Sequence, residues 1–200
     1  MNRDSYNTIA PQWAAARRTF HGRERDYLDL LLAPLPQNAC VLDLGCGTGR
    51  PMAEYVLAKG FRVIGVDQSG ELLKIARADF PSARWVLAAL ETYAFPDSFG
   101  AALLWDSLFH IERSQHEPLL RRVIERLPAG GRLMLTAGGS AHPAFTDRMY
   151  GQTFFYDSNP PEITARIVQE LGCRILLAEF TNLPTAGRDK GRYALVAEKA

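Results

Sequence analysis

Hydrophobic and polar residues follow two periods along this chain, and the period changes repeatedly. Apolar runs of about four to eight residues, typical of buried strands, alternate with stretches in which apolar residues recur every three or four positions, as in amphipathic helices. The runs predict strands at residues 40–44, 61–66, 84–88, 101–105, 132–136, 173–180 and 192–198. Such alternation is typical of an α/β domain.

Helix positions follow from the periodicity and from residues that start or stop helices. Helices are predicted over 5–20 (after Pro11), over 24–32, from Pro51 to Gly60, after the cap Ser69, from a capping box at 114–117, and between Asn159 and Gly172. The last two strands are joined without a helix, so the final strand should run antiparallel to its neighbour. We expect a Rossmann-like, doubly wound, mostly parallel seven-stranded sheet with an antiparallel last strand and helices on both faces.

Two segments outside this alternation are candidates for covering a ligand. Residues 1–36 carry two helices ahead of the first strand and are expected to form a helical lid, in which Trp13 packs. Segment 138–159 is long for a strand-to-helix connection, and long loops in compact domains are often functional, so we expect a substrate-side loop. Its aromatic run, 145–156, fits core cover over the sheet edge equally well.

Composition limits the functions that the chain can have. Its 200 residues, 47% of them hydrophobic, predict a single domain spanning 1–200. The net charge of +1 gives no overall attraction to nucleic acid or an anionic membrane, and no apolar run approaches the ~20 residues of a membrane helix. Three separated cysteines and a polar start favour the reducing cytoplasm, with neither disulfides nor a metal site. The expected assembly is a monomer or homodimer.

The most informative stretch is a glycine-rich turn directly after the first strand. Residues 41–50 read VLDLGCGTGR, with glycines at alternate positions between a buried strand and a helix. Such glycines let the backbone approach a ligand closely, and the helix amides behind them suit a negative group. Asp67 ends the next strand, where a carboxylate can accept hydrogen bonds from both ribose hydroxyls of a nucleoside. Together these features predict a site for an adenosine-type cofactor.

The details of the turn weaken two phosphate-binding interpretations. A dinucleotide fold uses G-x-G-x-x-G, but the place of the third glycine is occupied by Arg50. A P-loop requires a lysine after its glycines, and none follows here. An NAD-dependent oxidoreductase is therefore a less favoured alternative.

Five segments in register resemble the class I S-adenosylmethionine-dependent methyltransferases. They are the glycine turn at 41–50, the second strand with its acid at 63–69, the segments 95–99 and 105–110 around the fourth strand, and the glycine turn before the fifth strand at 127–133. Together they cover roughly residues 5–137, and the closing hairpin agrees with that family. The resemblance implies transfer of a methyl group from S-adenosylmethionine to a small-molecule acceptor, leaving S-adenosylhomocysteine. A non-catalytic S-adenosylmethionine-binding protein stays an alternative.

The resemblance also implies roles for individual residues. Asp43 would order the glycine turn, Asp67 would hold the ribose, and Tyr6 would fold over the cofactor. The family often places an acid after the third strand, near the adenine amino group; the matching residue here is Ala89, so Glu91 or the Leu90 backbone is expected to substitute. The implied cofactor-binding residues are Tyr6, Asp43, Gly45, Cys46, Gly47, Thr48, Gly49, Asp67, Gln68, Leu72, Ala89, Leu90, Glu91 and Asp106.

A general base is needed only for an acceptor that carries a proton, and His110 is the predicted base. A packing or capping role for His110 is the alternative, and Asp106, Tyr150 and Tyr156 are reserve candidates. The other histidines, His21, His116 and His142, are expected at the surface. The charges at 17–18 and 23–25 are expected on a solvated face.

Overall fold

The computed structural model describes residues 2–186 and 189–200, so Met1 of the predicted lid lies outside the described residues. The helices in these ranges are α1 (Asn2–Ala16), α2 (Glu24–Leu32), α3 (Met52–Ala58), α4 (Gly70–Asp79), α5 (His116–Arg126) and α6 (Pro161–Glu170). The strands are β1 (Cys40–Leu44), β2 (Arg62–Asp67), β3 (Arg84–Leu87), β4 (Ala101–Leu104), β5 (Arg132–Gly138), β6 (Phe145–Met149), β7 (Gln152–Tyr156), β8 (Cys173–Asn182) and β9 (Arg192–Lys199).

A seven-stranded sheet organises the chain, in the order β3-β2-β1-β4-β5-β9-β8. Strands β1 to β5 pair in parallel, whereas β9 lies between β5 and β8 and is antiparallel to both. The expected fold class is confirmed. Since the carboxyl ends of β1, β2 and β4 meet at one edge, the residues that follow these strands are brought together there.

The central strands are buried on both faces because helices cover each side of the sheet. Successive side chains point to opposite faces of a strand. Leu42 and Leu44 of β1 therefore pack in a cluster with α5, whereas Val41 packs with α2 and α3. This packing fixes the position of β1 in the sheet. It therefore also fixes the position of the glycine turn that follows β1.

Segment 138–159 is not an open loop, as the sequence suggested. It contains the hairpin β6–β7, whose turn residues Tyr150 and Gly151 have φ values of 49° and 79°. Positive φ at both central positions is the geometry of the two-residue turns that match the twist of a hairpin. Of its aromatic residues, Phe154 is fully buried in the core, whereas Phe145 and Tyr156 line a cavity.

Two of the predicted helix starts were wrong, whereas those of α2 and α4 are confirmed. Helix α1 runs through Pro11 from Asn2, because Asn2 and Ser5 fasten its first turn to β7 by hydrogen bonds to Phe155 and Thr153. The capping box at 114–117 does not form, since α5 starts at His116 without a side-chain cap. At α4, by contrast, Ser69 Oγ accepts from the Leu72 N–H at 3.2 Å, as a cap should.

Gly65 of β2 makes room for Trp85 of β3, and we expect Gly65→Ala to destabilise the fold by about 1–3 kcal/mol. A Cβ at residue 65 would lie 2.3 Å from Trp85 Cε3 and 2.9 Å from Cys46 Sγ. Chemical denaturation checks this, with Gly70→Ala as the matched control because a Cβ there meets nothing within 4 Å. Equal stability of the two variants would contradict the steric argument.

Candidate functional site

A cavity of about 90 Å³ lies at the carboxyl ends of β1, β2 and β4, beneath α1. It is called the first cavity below. Most of the residues that the sequence analysis assigned to a cofactor line it, and so does His110. The predicted residues in the lining are Tyr6, Asp43, Gly45, Cys46, Gly47, Asp67, Gln68, Leu72, Leu90, Glu91, Asp106 and His110.

Three predicted residues, Thr48, Gly49 and Ala89, do not line this cavity. Gly49 faces the packing of β3 instead, because a Cβ there would lie 2.8 Å from Trp85 Cη2. Thr48 is buried, and its hydroxyl has no hydrogen-bond partner among the described residues. The carbonyl of Ala89 accepts from the Tyr93 N–H at 3.0 Å, so it is committed to a local turn.

Seven lining residues were missed by the sequence analysis: Trp13, Arg17, Arg50, Met52, Trp105, Ser107 and Ile111. Trp13 reaches the cavity from α1, with its Nε1 3.5 Å from where a Cβ of Gly47 would stand. Four of them had a local signal: Trp105 and Ser107 flank Asp106 directly after β4, Arg50 ends the glycine turn, and Ile111 follows His110. The others depend on how distant segments pack over the sheet.

Asp67 holds the glycine turn and the start of α4 at the same time. Its Oδ2 accepts from the Gly47 N–H and its Oδ1 from the Ser69 N–H, both at 2.8 Å. Burial raises the pKa of this carboxyl, and the backbone N–H groups of Ser69, Gly47 and Gln68 oppose the rise. A carboxylate has about four acceptor sites, so Asp67 can still accept from a ligand in the cavity.

Asp43 lies at the floor of the cavity with a buried oxygen, Oδ2, that has no partner among the described residues. Burial, followed by the nearby charge of Asp67, raises the pKa of Asp43 to about 7. The expected role of Asp43 in ordering the glycine turn is not observed: Gly45 and Cys46 donate to the Val66 carbonyl, and Gly47 donates to Asp67. A buried carboxylate oxygen without a donor favours a ligand that supplies one.

Tyr6 and His110 form a hydrogen-bonded pair between α1 and the segment after β4. His110 Nδ1 is 3.1 Å from both the Phe155 carbonyl oxygen and the amide nitrogen of Asn2. Nε2 and the Tyr6 hydroxyl share a hydrogen bond of 2.9 Å. Burial lowers the pKa of His110 to about 4 and raises the pKa of Tyr6 well above 10. Both groups are therefore neutral, and both ring nitrogens of His110 are engaged.

The reserve base candidates lie in different places. Asp106 lines the first cavity and has φ of +53°, a conformation that is costly for a residue other than glycine and that recurs at functional sites. Tyr156 packs its ring 4.8 Å from His110. Tyr150 is wrong as a candidate, because the hairpin turn leaves its side chain half-exposed and away from the cavity lining.

The charges that the sequence placed on a solvated face include a buried ion pair. Glu24 is 2% exposed, and its Oε1 accepts from Arg17 Nη2 at 2.6 Å and from Trp105 Nε1 at 2.8 Å. Arg192, at the start of β9, lies 3.9 Å from the same oxygen and 3.0 Å from Asp106 Oδ2. The network was missed because it joins segments that are far apart in sequence.

The expected surface positions of the histidines hold only for His21, which is exposed. His116 is 1% exposed, and burial lowers its pKa. His142 is partly buried and lines a second cavity of about 420 Å³ beside the β6–β7 hairpin. The second cavity is lined by Phe109, Gly138, His142, Phe145, Asp147, Tyr156, Asp157, Ser158, Asp189, Lys190, Gly191 and Arg192.

Two further searches cover residues 2–186 and 189–200. Within these ranges no group of three or more histidine, cysteine or acidic side chains is arranged to hold a metal ion. None of the helices there has the length and apolar character needed to cross a membrane.

Known proteins share both the sequence and the fold of this chain. Residues 41–131 match a family model described as a methyltransferase domain. A trans-aconitate 2-methyltransferase from Variovorax paradoxus is 36% identical over 132 residues, which cover 61% of this chain and 48% of that protein. These matches, together with the fold, support a class I S-adenosylmethionine-dependent methyltransferase. It spans about half the length of the curated relatives it matches.

Solved structures agree with the fold of this methyltransferase domain. The 1,6-didemethyltoxoflavin-N1-methyltransferase of Burkholderia thailandensis has a TM-score of 0.70 at 22% identity, and the alignment covers 100% of this chain and 87% of that chain. The cyclase SpnF has a TM-score of 0.74 at 19% identity, covering 99% and 94%. Since a cyclase shares the fold, the activity of the methyltransferase domain has to be argued from its site.

Proposed function

We propose that this protein transfers a methyl group from S-adenosylmethionine to a small-molecule acceptor, leaving S-adenosylhomocysteine. The observation that carries the proposal is the pair of buried carboxylates, Asp43 and Asp67, beside a glycine turn under α1. One of these carboxylates has an oxygen without a donor, and the other keeps free lone pairs toward the cavity. A ligand with a ribose and an ammonium group supplies the donors that both need.

The residues present fit S-adenosylmethionine group by group. Asp67 would accept from the ribose hydroxyls, and Asp43 would pair with the ammonium of the methionine moiety. Leu72 and Leu90 offer apolar surface for the adenine ring. Glu91 lines the cavity where Ala89 does not, so Glu91 is the better candidate for the adenine amino group.

For methyl transfer, the protein has mainly to position the methyl donor and the acceptor. The sulfonium of S-adenosylmethionine makes its methyl group electrophilic. The acceptor atom forms a bond to the methyl carbon as the carbon–sulfur bond breaks, with the electron pair left on sulfur. Holding the two reactants in line can lower a bimolecular barrier by roughly 7–11 kcal/mol in favourable cases. Tyr6 and Trp13, which line the cavity from α1, would exclude water from this step.

The predicted role of His110 takes a definite form in this arrangement. Since the ring is neutral and Nε2 is hydrogen-bonded to Tyr6, His110 would take up an acceptor proton only through the Tyr6 hydroxyl. An acceptor without a transferable proton needs no such step. His110 would then act as a positioning residue that holds Tyr6 over the first cavity.

The curated relatives and the composition of the chain support proposals about the acceptor, the cellular location and the assembly. Their name gives trans-aconitate, a carboxylate, as what they methylate, and we propose a small-molecule acceptor for this chain as well. The net charge of +1 supports an acceptor other than nucleic acid. The three free cysteines support a cytoplasmic location, and a monomer or homodimer stays the proposed assembly.

Isothermal titration with S-adenosylmethionine, S-adenosylhomocysteine and NADH tests the proposal. We expect the first two ligands to bind with micromolar affinity and NADH not to bind. Asp67→Ala should weaken both by about tenfold or more, because it removes charged hydrogen bonds. Glu117→Ala, which removes an exposed acid of α5, should change neither affinity. Preferential NADH binding would overturn the proposal in favour of an oxidoreductase.

A further inference from the structure

Arg192 lies in the lining of the second cavity. Its Nη2 is 3.0 Å from Asp106 Oδ2, and its side chain is 35% exposed. A guanidinium presents five N–H donors in a planar fork, so it can hold Asp106 and still bind a second carboxylate.

The acids around this cavity are already engaged within the protein. Asp157 accepts from Arg113 at 2.5 and 2.8 Å. Asp189 accepts from the Gly191 N–H at 2.8 Å and from the Asn182 amide. Among the described residues, the acids paired with the Arg192 guanidinium are Asp106 at 3.0 Å and Glu24 at 3.9 Å.

Part of the same lining is aromatic. The rings of Phe145 and Tyr156 are stacked, with centroids 5.2 Å apart and an angle of 16° between their planes. Aromatic surface of this kind favours a planar ligand, and a volume of about 420 Å³ suits a small molecule. A cavity that has both a cationic group and aromatic surface favours molecules with an anionic end and a conjugated body.

Two contacts connect the cavities. Asp106 lines the first cavity and is held by Arg192 of the second. His110 lines the first cavity, and its ring centroid is 4.8 Å from that of Tyr156 in the second. A molecule anchored on Arg192 therefore lies next to the place where the methyl donor would sit.

We propose that the second cavity binds the methyl acceptor, and that this acceptor is a flat aromatic or conjugated carboxylate whose anionic group pairs with Arg192. The inference rests on the proposed function for the acceptor role, whereas the anion site itself does not. Arg192 is then a residue that determines substrate specificity.

Binding of matched acid and amide pairs tests the proposal without needing turnover. The probes are cinnamate with cinnamamide, benzoate with benzamide, and trans-aconitate alone, titrated by ligand-observed NMR with and without S-adenosylhomocysteine. At least one acid should bind about 10-fold or more tightly than its amide, the effect expected for a charged hydrogen bond. Arg192→Gln should remove this preference and Arg192→Lys should restore part of it. Arg166→Gln, at an exposed arginine of α6, is the matched control and should keep the preference.

Each outcome separates the two proposals. Equal binding of acids and amides, or an acid preference that persists in folded Arg192→Gln, would overturn the acceptor assignment even if S-adenosylhomocysteine binds. Arg192-dependent acid binding without any binding of S-adenosylhomocysteine would leave the anion site standing and overturn the proposed methyl transfer. Thermal melting of each variant shows whether a lost preference comes from the site or from unfolding.

Discussion

S-adenosylmethionine should bind this protein about tenfold more weakly for each pH unit below 7, and Asp43→Asn should abolish that dependence. Burial and the neighbouring Asp67 raise the pKa of Asp43 to about 7 in the empty site. Below this pH the carboxyl is protonated and neutral, so binding the ammonium requires the proton to leave. Above pH 7 the carboxylate is already charged, and the affinity should level off.

Titration calorimetry between pH 5 and 8.5 measures this effect. 5′-Methylthioadenosine, which lacks the ammonium and carboxylate groups, is the matched control ligand and should bind with little change from pH 5 to 7. If S-adenosylmethionine keeps the same slope in Asp43→Asn, another group causes it and the assignment of Asp43 to the ammonium is wrong.

The same carboxyl should lower the stability of the empty protein at high pH. Its folded pKa, about 7, lies above the ordinary value of 3.8, so the folded state binds more protons than the unfolded state between these values. The contribution of Asp43 to the free energy of unfolding is therefore present at low pH and is lost as the pH rises through 7. Asp43→Asn should for that reason unfold at higher denaturant concentration than the parent at pH 8.

Removing Glu24 should have the largest effect on folding: we expect Glu24→Ala to cost about 3–5 kcal/mol, since it leaves a buried positive charge without its partner. Arg17 Nη2 and the Trp105 indole both donate to Glu24 Oε1, and the His21 N–H donates to Oε2 at 2.9 Å. The change therefore loosens the end of the lid, the start of α2 and the end of β4 together.

Urea unfolding provides the measurement, and Glu117→Ala is the matched control. Glu117 also pairs with an arginine, but it is exposed on α5, where such pairs contribute roughly 0–1 kcal/mol. The double variant Arg17→Met with Glu24→Met should recover much of the loss, because no unpaired charge is then buried. Equal costs for Glu24→Ala and Glu117→Ala would show that the buried pair does not matter.

Features fixed by local sequence were predictable, whereas features fixed by packing between distant segments were not. The glycine turn, Asp67 and the Ser69 cap depend on neighbouring residues of a strand and a helix, and the sequence identified them. The first cavity is also lined by Arg17 from the lid and by Trp105 directly after β4, and both side chains donate to Glu24. Nothing in the charges near residue 17 distinguishes this buried pair from a solvated face.

The β6–β7 hairpin was missed although the sequence contained a signal for it. The pair Tyr150-Gly151 separates two short β-prone runs, and a glycine in a two-residue turn is a hairpin indicator. Gly49 was misassigned for a different reason: its neighbour in sequence is the cofactor turn, but its neighbour in space is Trp85. Spacing alone does not distinguish a glycine that faces a ligand from one that accommodates an indole.

Trp85 is a position at which an added small molecule could control the glycine turn of the first cavity. Its ring fills the space left by Gly49 and Gly65, close to Cys46, which lines the first cavity, and its Nε1 donates to the Phe80 carbonyl at 3.0 Å. Replacing Trp85 with glycine would leave a mostly apolar hole of about the shape of an indole, and such holes bind small aromatic molecules. Added indole could then refill the hole, restore the glycine turn and act as a chemical switch for the protein.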